Sequence, residues 1–337
     1  MSSKRVVIGV LALVALLVGG ALPWWLAGIA TTRRFEFPDR ENAGLTPASF
    51  QLPFEEASFA SADGVGLRGW WVPAPGARGT VVLVHGLNRT RVENARKLPF
   101  LHAQGWNTLL FDLRHHGQSG GQASTFGWRE KDDVAAAVAL ARRQSAGPVV
   151  AWGVSMGAAA ATLAAAEDPA ISGLVCDSSF RSLRDTVWHH LELFRGFRWW
   201  GRLVPAWAIG SQAIYFIGVR GGFDPDAVDV LSAARRLAGR PALFVANSGD
   251  RRMPSEIAGE LSAAAGPQAR VLVVPGHSHG GAWREGTQQY EAAVRELLER
   301  VAGPVGLAHG APAGAAQEVP GGLERRSSWE PNGRAWS

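Results

Sequence analysis

Eight short apolar runs, separated by longer helical patterns, leave this chain few folds to choose from. The runs lie at Ser58–Ala60, Leu67–Val72, Thr80–His85, Thr108–Asp112, Val149–Gly153, Gly173–Cys176, Ala242–Ala246 and Arg270–Val274. Asp63–Gly64 is a hairpin signal between the first two, which predicts that they pair antiparallel. The later runs are almost wholly apolar, as strands covered on both faces must be. Helical stretches at Val92–Gln104, Trp128–Gln144, Met156–Ala166, Ser255–Ala265 and Trp283–Val301 fill the gaps. This alternation predicts an α/β fold with a mostly parallel eight-stranded sheet and helices on both faces. In such sheets the chemistry collects at the carboxyl ends of the strands.

Composition removes several other classes. Of 337 residues 47% are hydrophobic and 19% charged, which suits a globular protein and excludes a mostly disordered one. Cys176 is the one cysteine, so neither an intramolecular disulfide nor a cysteine-based zinc cluster can form. The net charge of +5 is nearly all arginine, and no basic run exceeds two residues, which argues against a nucleic-acid partner.

The termini depart from the central rhythm. Between Lys4–Arg5 and Arg33–Arg34, the stretch Val6–Ala30 carries no charge. It is longer than the roughly 20 residues that cross a bilayer. Trp24 and Trp25 stand where an interfacial aromatic belt would lie. Residues 1–34 are therefore expected to be a single-pass membrane anchor with the remaining chain on the extracytoplasmic side. A cleaved signal peptide is the competitor, since Gly19 and Ala21 offer small residues at cleavage spacing. Residues 303–337 are Gly-, Pro- and Ala-rich at first and aperiodic throughout, which predicts a disordered tail.

One internal segment also breaks the pattern. Phe180–Gly239 is far longer than an ordinary crossover and rich in large apolar side chains. A helical cap inserted over the strand ends explains both features. A second membrane pass is the rival, because Leu203–Val219 is free of charge, but Pro205 interrupts it and its length is at the bottom of the spanning range. Trp207, Tyr215 and Phe216 are expected to line an apolar acyl pocket or to touch the bilayer surface.

The strand Val149–Gly153 runs into Gly153-Val154-Ser155-Met156-Gly157 and an alanine-rich helix. This is G-x-S-x-G in a strand–turn–helix context, where small residues permit a turn sharp enough to lift the serine hydroxyl clear of the sheet. A serine hydroxyl needs a base, and the base needs an acid to orient it. Asp250 follows the strand Ala242–Ala246, and His277 and His279 follow Arg270–Val274. Spacing alone leaves both histidines open, although two glycines after His279 would let that backbone approach the serine. The turn His85-Gly86-Leu87-Asn88 can offer a backbone N–H which, with that of Met156, would hold a developing oxyanion.

From about Phe54 to Val301 the chain resembles the α/β-hydrolase superfamily. The segments VLVHGLN, FDLRHHGQSGG, FGWREKDDV and WGVSMGAAAA are similar to its bacterial serine-esterase and prolyl-oligopeptidase-related branch. The resemblance implies a hydrolase domain over residues 50–302 with its cap insertion at about 180–239. It further implies nucleophile Ser155, acid Asp250, base His279 and oxyanion donors Leu87 and Met156. It favours His279 over His277, because the family's loop has a histidine followed by glycine. The expected substrate is a small acyl compound, an ester first and a peptide second, cleaved without cofactor or metal. A catalytically silent, membrane-tethered binding protein is the alternative from another class. Nothing in the sequence specifies an oligomeric state.

Other residues invite roles of their own. Asp177 also ends a strand and could serve as the acid, although a loop cap is the simpler reading. Asp112 and Arg114 are expected to pair and hold their turn. His115–His116 and His189–His190 lack further ligands at metal-binding spacing. Cys176 reads as core.

Overall fold

The computed structural model describes residues 3–34, 36, 37, 39, 41–197 and 206–303. Its sheet comprises β1 Glu55–Ala60, β2 Gly66–Val72, β3 Thr80–Val84, β4 Asn107–Asp112, β5 Val149–Val154, β6 Ile171–Asp177, β7 Ala242–Asn247 and β8 Ala269–Val274. The strand order is β1-β2-β4-β3-β5-β6-β7-β8. β2 runs antiparallel to both β1 and β4, and every other pair is parallel. Each expected strand is present, with ends displaced by a few residues. The β1–β2 turn uses Gly64 at φ 82°, a left-handed conformation that glycine adopts without strain.

Ten helices surround the sheet among the described residues: α1 Ser3–Thr31, α2 Leu98–Ala103, α3 Glu130–Gln144, α4 Met156–Glu167, α5 Leu183–Phe197, α6 Ala206–Gly221, α7 Val230–Arg235, α8 Glu256–Ala265, α9 Ala282–Glu285 and α10 Thr287–Ala302. Alternate strand residues serve opposite cores, as the two-residue side-chain period requires. Val82, Val84, Leu109, Phe111 and Phe244 face the core shared with α3, α4, α7 and α8. Val81, Leu83, Leu110, Trp152 and Val175 face the core shared with α2 and α10. Burying each such side chain is worth about 1.5–3 kcal/mol. The run Ala158–Ala161 in α4 is fully buried, its small side chains letting the helix lie close to the sheet.

Two expected helices are divided. Val92–Gln104 becomes a 3₁₀ segment, Arg91–Lys97, followed by α2, with Pro99 in the first turn of α2. Pro99 brings no N–H to the ladder, so the helical hydrogen bonding restarts there. Trp283–Val301 becomes α9 and α10, broken at Gly286 where the backbone leaves helical geometry (φ −138°, ψ 45°).

The long insertion between β6 and β7 is helical, as expected, but its last helix is not a cap. Val230, Ala233 and Ala234 of α7 are buried in the body core. The cap proper is α5 and α6. α1 is long and apolar enough to cross a membrane, with mean hydropathy 2.6 over its best window and little of it buried. A π-helical turn, Leu17–Ala21, divides it. Its last ten residues, Leu22–Thr31, lie against α6. The Trp24 and Phe216 rings meet edge-on at 5.4 Å, and the Arg220 guanidinium sits 4.4 Å over Trp24 and donates to Thr32 Oγ1 at 2.9 Å.

The segment after α1 is a strap rather than a free linker. Thr31 O accepts from Ser124 N–H at 2.8 Å, and Arg34 donates to Gly117 O and Ser119 O. Phe37 N–H then donates to Asn88 O at 2.9 Å, and Asn42 Oδ1 accepts from Arg96 Nε at 2.9 Å. These contacts tie Thr31, Arg34, Phe37 and Asn42 to the loops and helices of the body. The expected tail, 303–337, lies outside the described residues but for Gly303.

Candidate active site

β5 ends in a turn that only small neighbours permit. A Cβ on Gly153 would stand 2.2 Å from Gly157 O, and one on Gly157 would stand 2.4 Å from His85 O. Both lie well inside van der Waals contact. Between them Ser155 sits at φ 54°, ψ −117°, a strained conformation for a residue with a side chain. Its N–H donates to Asp177 O at 2.8 Å, which holds the turn against β6.

Loops from three strands then converge. His279 Nε2 is 2.8 Å from Ser155 Oγ, and His279 Nδ1 is 2.7 Å from Asp250 Oδ2. Asp250 Oδ1 accepts from the N–H groups of Arg252 and Met253 at 2.8 and 3.1 Å. Burial works against the Asp250 charge, but the hydrogen bond from His279 and the two backbone donors hold its carboxyl below the ordinary value. With that carboxylate as acceptor, Nδ1 carries the proton and Nε2 is free to accept from the serine.

His277, the other candidate, is exposed, and its ring rests on the Gly249 backbone of the acid loop. The two loops are tied by Gly249 N–H to Gly276 O at 2.7 Å and Asn247 Nδ2 to Ser278 O at 2.7 Å. Asp177 does not bond to the imidazole. Its carboxylate accepts from Tyr290 Oη at 2.9 Å and Ser178 Oγ at 2.8 Å. Ser178 Oγ in turn accepts from Gly280 N–H at 3.2 Å, so β6 helps to place the histidine loop.

The turn after β3 lies over the serine, since a Cβ on Gly86 would stand 3.5 Å from Ser155 Cβ. Its hydrogen bonds are almost all committed. Gly86 N–H donates to Glu93 Oε2 at 2.7 Å, and Asn88 N–H donates to His116 Nε2 at 3.1 Å. His85 Nδ1 donates to Gly86 O at 2.8 Å, while its Nε2 accepts from Leu113 N–H at 2.9 Å. Burial holds His85 well below the usual histidine range, in keeping with this neutral tautomer. Leu87 N–H meets no acceptor among the described residues. Met156 N–H opens the first turn of α4, where helical N–H groups lack intrahelical partners.

Sequence reasoning overlooked the other side of the site. His279 opens onto a cavity of about 640 Å³ whose wall includes Asp39, Glu41, Arg89, Glu93, Lys97 and Arg284. Asp39 and Glu41 come from the strap, which has no periodicity that could flag it. Burial pushes the Glu93 carboxyl above its usual range and lowers the Lys97 amine to about 8. The Lys97 ammonium donates to Asn94 Oδ1 at 2.6 Å and stands 4.7 Å over the Trp152 ring.

Of the three cap aromatics expected at an acyl pocket or at the bilayer surface, two stand away from this cavity. Tyr215 is 62% exposed, and Phe216 is spent on Trp24; neither lines the cavity at His279. The side chain of Trp207 lies outside the described residues. Nor do Asp112 and Arg114 pair. Arg114 bridges Asp133 and Asp63, while Asp112 accepts from Arg91 N–H and Gln118 N–H at 2.8 and 2.9 Å. His189 and His190 bond to Arg251 O and Thr186 O at 2.8 and 2.9 Å, and no three-residue His/Cys/Asp/Glu group suited to a metal occurs among the described residues. Cys176 is buried, its thiol pushed up to about 12.

A strand-to-helix serine turn on a mostly parallel eight-stranded sheet, with helices on both faces, gives this chain the α/β-hydrolase fold. Residues 75–232 match the family model described as serine aminopeptidase, S33. The chain is 26% identical over 247 residues to the uncharacterized protein YqkD of Bacillus subtilis, covering 72% of this chain and 78% of that protein. It is 24% identical over 269 residues to the alpha/beta hydrolase domain-containing protein WAV2 of Arabidopsis thaliana, covering 77% and 82%. Among solved structures, the Pyrococcus furiosus esterase Pf2001 aligns with a TM-score of 0.64 at 24% identity, covering 80% of this chain and 99% of that one.

Proposed function

We propose that the protein is a serine hydrolase cleaving a carboxylic ester through an acyl-enzyme on Ser155. The observation that carries this reading is the unbroken line Asp250–His279–Ser155, at 2.7 and 2.8 Å. Ser155 Oγ attacks the carbonyl carbon as its proton passes to His279 Nε2. The oxyanion is held by Leu87 N–H and Met156 N–H, and each such donor is worth about 10²–10³ in rate. Collapse expels the alcohol, which takes the proton from His279. Water then repeats the cycle on the acyl-enzyme and frees the acid and Ser155. No step calls for a cofactor or a metal.

A fluorophosphonate probe tests the reading directly. Labelling that vanishes in Ser155→Ala supports it; a wild-type protein that neither labels nor hydrolyses p-nitrophenyl esters would favour the silent binding protein. A peptidase is the second reading, favoured by the serine aminopeptidase match and by carboxylates at Asp39, Glu41 and Glu93 that could face an amine. Aminoacyl nitroanilides turned over faster than esters would select it. We further propose that α1 anchors the chain in a membrane with the hydrolase on the extracytoplasmic side. Secretion after cleavage would instead leave a mature protein without the outer part of α1, which its mass would reveal.

A further inference from the structure

The cap helix α6 raises a question of surface chemistry. Among the described residues its exposed positions are Ser211, Gln212, Tyr215 and Val219, none of them charged. Its one charge, Arg220, is folded inward over Trp24 and onto Thr32, and Gly28 leaves room for it: a Cβ there would stand 2.8 Å from the guanidinium carbon. Trp25, Tyr215 and Val219 are each more than half exposed. A water-facing helix would hardly present this face while hiding its only cation.

The geometry of α1 says what meets that face. Its outer part beyond the charges of Lys4 and Arg5, Val6 to Ala21, rises about 24 Å at roughly 1.5 Å per residue. That takes up most of a hydrocarbon core of about 30 Å, with the long stems of Lys4 and Arg5 able to reach back to the headgroups. The remaining ten residues, packed on α6, then fall at the headgroup level, where tryptophan and tyrosine concentrate. We infer that the paired faces of Leu22–Thr31 and α6 are seated in the interfacial layer of a lipid bilayer, making α6 a second membrane-contacting helix that does not span. This rests on the anchor reading of α1 and is independent of the ester chemistry. Cleavage after Ala21 would leave these contacts in place, whereas cleavage beyond Trp24 would bare Phe216 and Arg220.

The test uses the full chain, in which Cys176 is buried and so silent to labelling. A fluorescent nitrobenzoxadiazole probe is placed by Val219→Cys, and a control probe by Glu299→Cys on exposed α10. Both proteins are reconstituted in vesicles of phosphatidylcholine and phosphatidylglycerol. Strong quenching of the residue-219 probe by headgroup-level nitroxide lipids, with the residue-299 probe open to aqueous iodide, is the expected result. Equal iodide quenching of both probes in membrane-integrated protein would overturn the seating and leave the anchor standing. A chain that fails to float with the vesicles, or is recovered shortened past Ala21, would overturn both.

Discussion

Ser155 occupies its turn because Gly153 and Gly157 let backbones approach where a methyl group could not, and that constraint was legible in the pentapeptide itself. Ser155→Ala is expected to lower kcat on a short p-nitrophenyl ester by about 10⁶, with an unchanged circular dichroism spectrum. His279→Ala should lose nearly as much, while His277→Ala should keep most activity, its ring having only Gly249 to rest on. The spacing of HSHGG could not separate the two histidines; only the approach of the loop to Asp250 does. Glu93 was invisible in the sequence, since nothing in Arg-Val-Glu-Asn announces a backbone partner seven residues away. Glu93→Leu leaves the Gly86 N–H without its acceptor, a cost of about 1–3 kcal/mol, and should lower kcat by about 10–100-fold. Glu93→Gln, which still accepts, should retain most of the rate. Lys97 offers a separate check, because the chain has three lysines. Burial favours its neutral amine, so one lysine resonance should titrate near pH 8 by NMR and be missing in Lys97→Met. Its sign follows: unfolding takes up a proton between about 8 and 10.5, so through that window this residue increasingly favours the folded state as pH rises.

Among elements, the strands were the easiest to find, because burial on both faces writes them as continuous apolar runs. Helix boundaries were harder where proline and glycine reset the backbone, as at Pro99 and Gly286. The docking of α1 on α6 was beyond reach, since a charge-free helix gives no sign of which third of it meets protein. Deleting residues 1–21 keeps Trp24, Gly28 and the strap, and should yield a folded, active enzyme. Deleting 1–34 bares Phe216, removes the Arg220 hydrogen bond and frees the strap. We expect its Tm to fall by about 5–10 °C, corresponding to roughly 2–3 kcal/mol, with greater aggregation. Equal melting curves for the two truncations would show that Leu22–Thr31 adds nothing to the fold.

For the molecule as a whole, the sheet and its carboxyl-end loops place the chemistry, and the strap and the 3₁₀ segment Arg91–Lys97 shape what reaches it. The cavity beside His279 is walled by charged groups together with Trp283 and Val154, and Tyr215 and Phe216 of the cap stand away from it. Aromatic richness told where large side chains occur and not which surface they serve. An apolar acyl chain entering that cavity would strip water from Arg89 and Arg284 without replacing it. Short acyl esters should therefore be turned over faster than octanoyl or longer ones in a chain-length series. A preference for the longer chains would move acyl recognition back to the cap.

Glu41 and Arg284 stand 243 positions apart in the chain and yet share two contacts of 2.6 and 2.8 Å. Arg96 also donates to Glu41 O at 2.7 Å. The strap is thus built into the wall of the cleft. A lineage that replaced it wholesale would lose a wall of its own cleft, so Glu41, Asn42 and the partners they meet at Arg96 and Arg284 should be inherited as one unit.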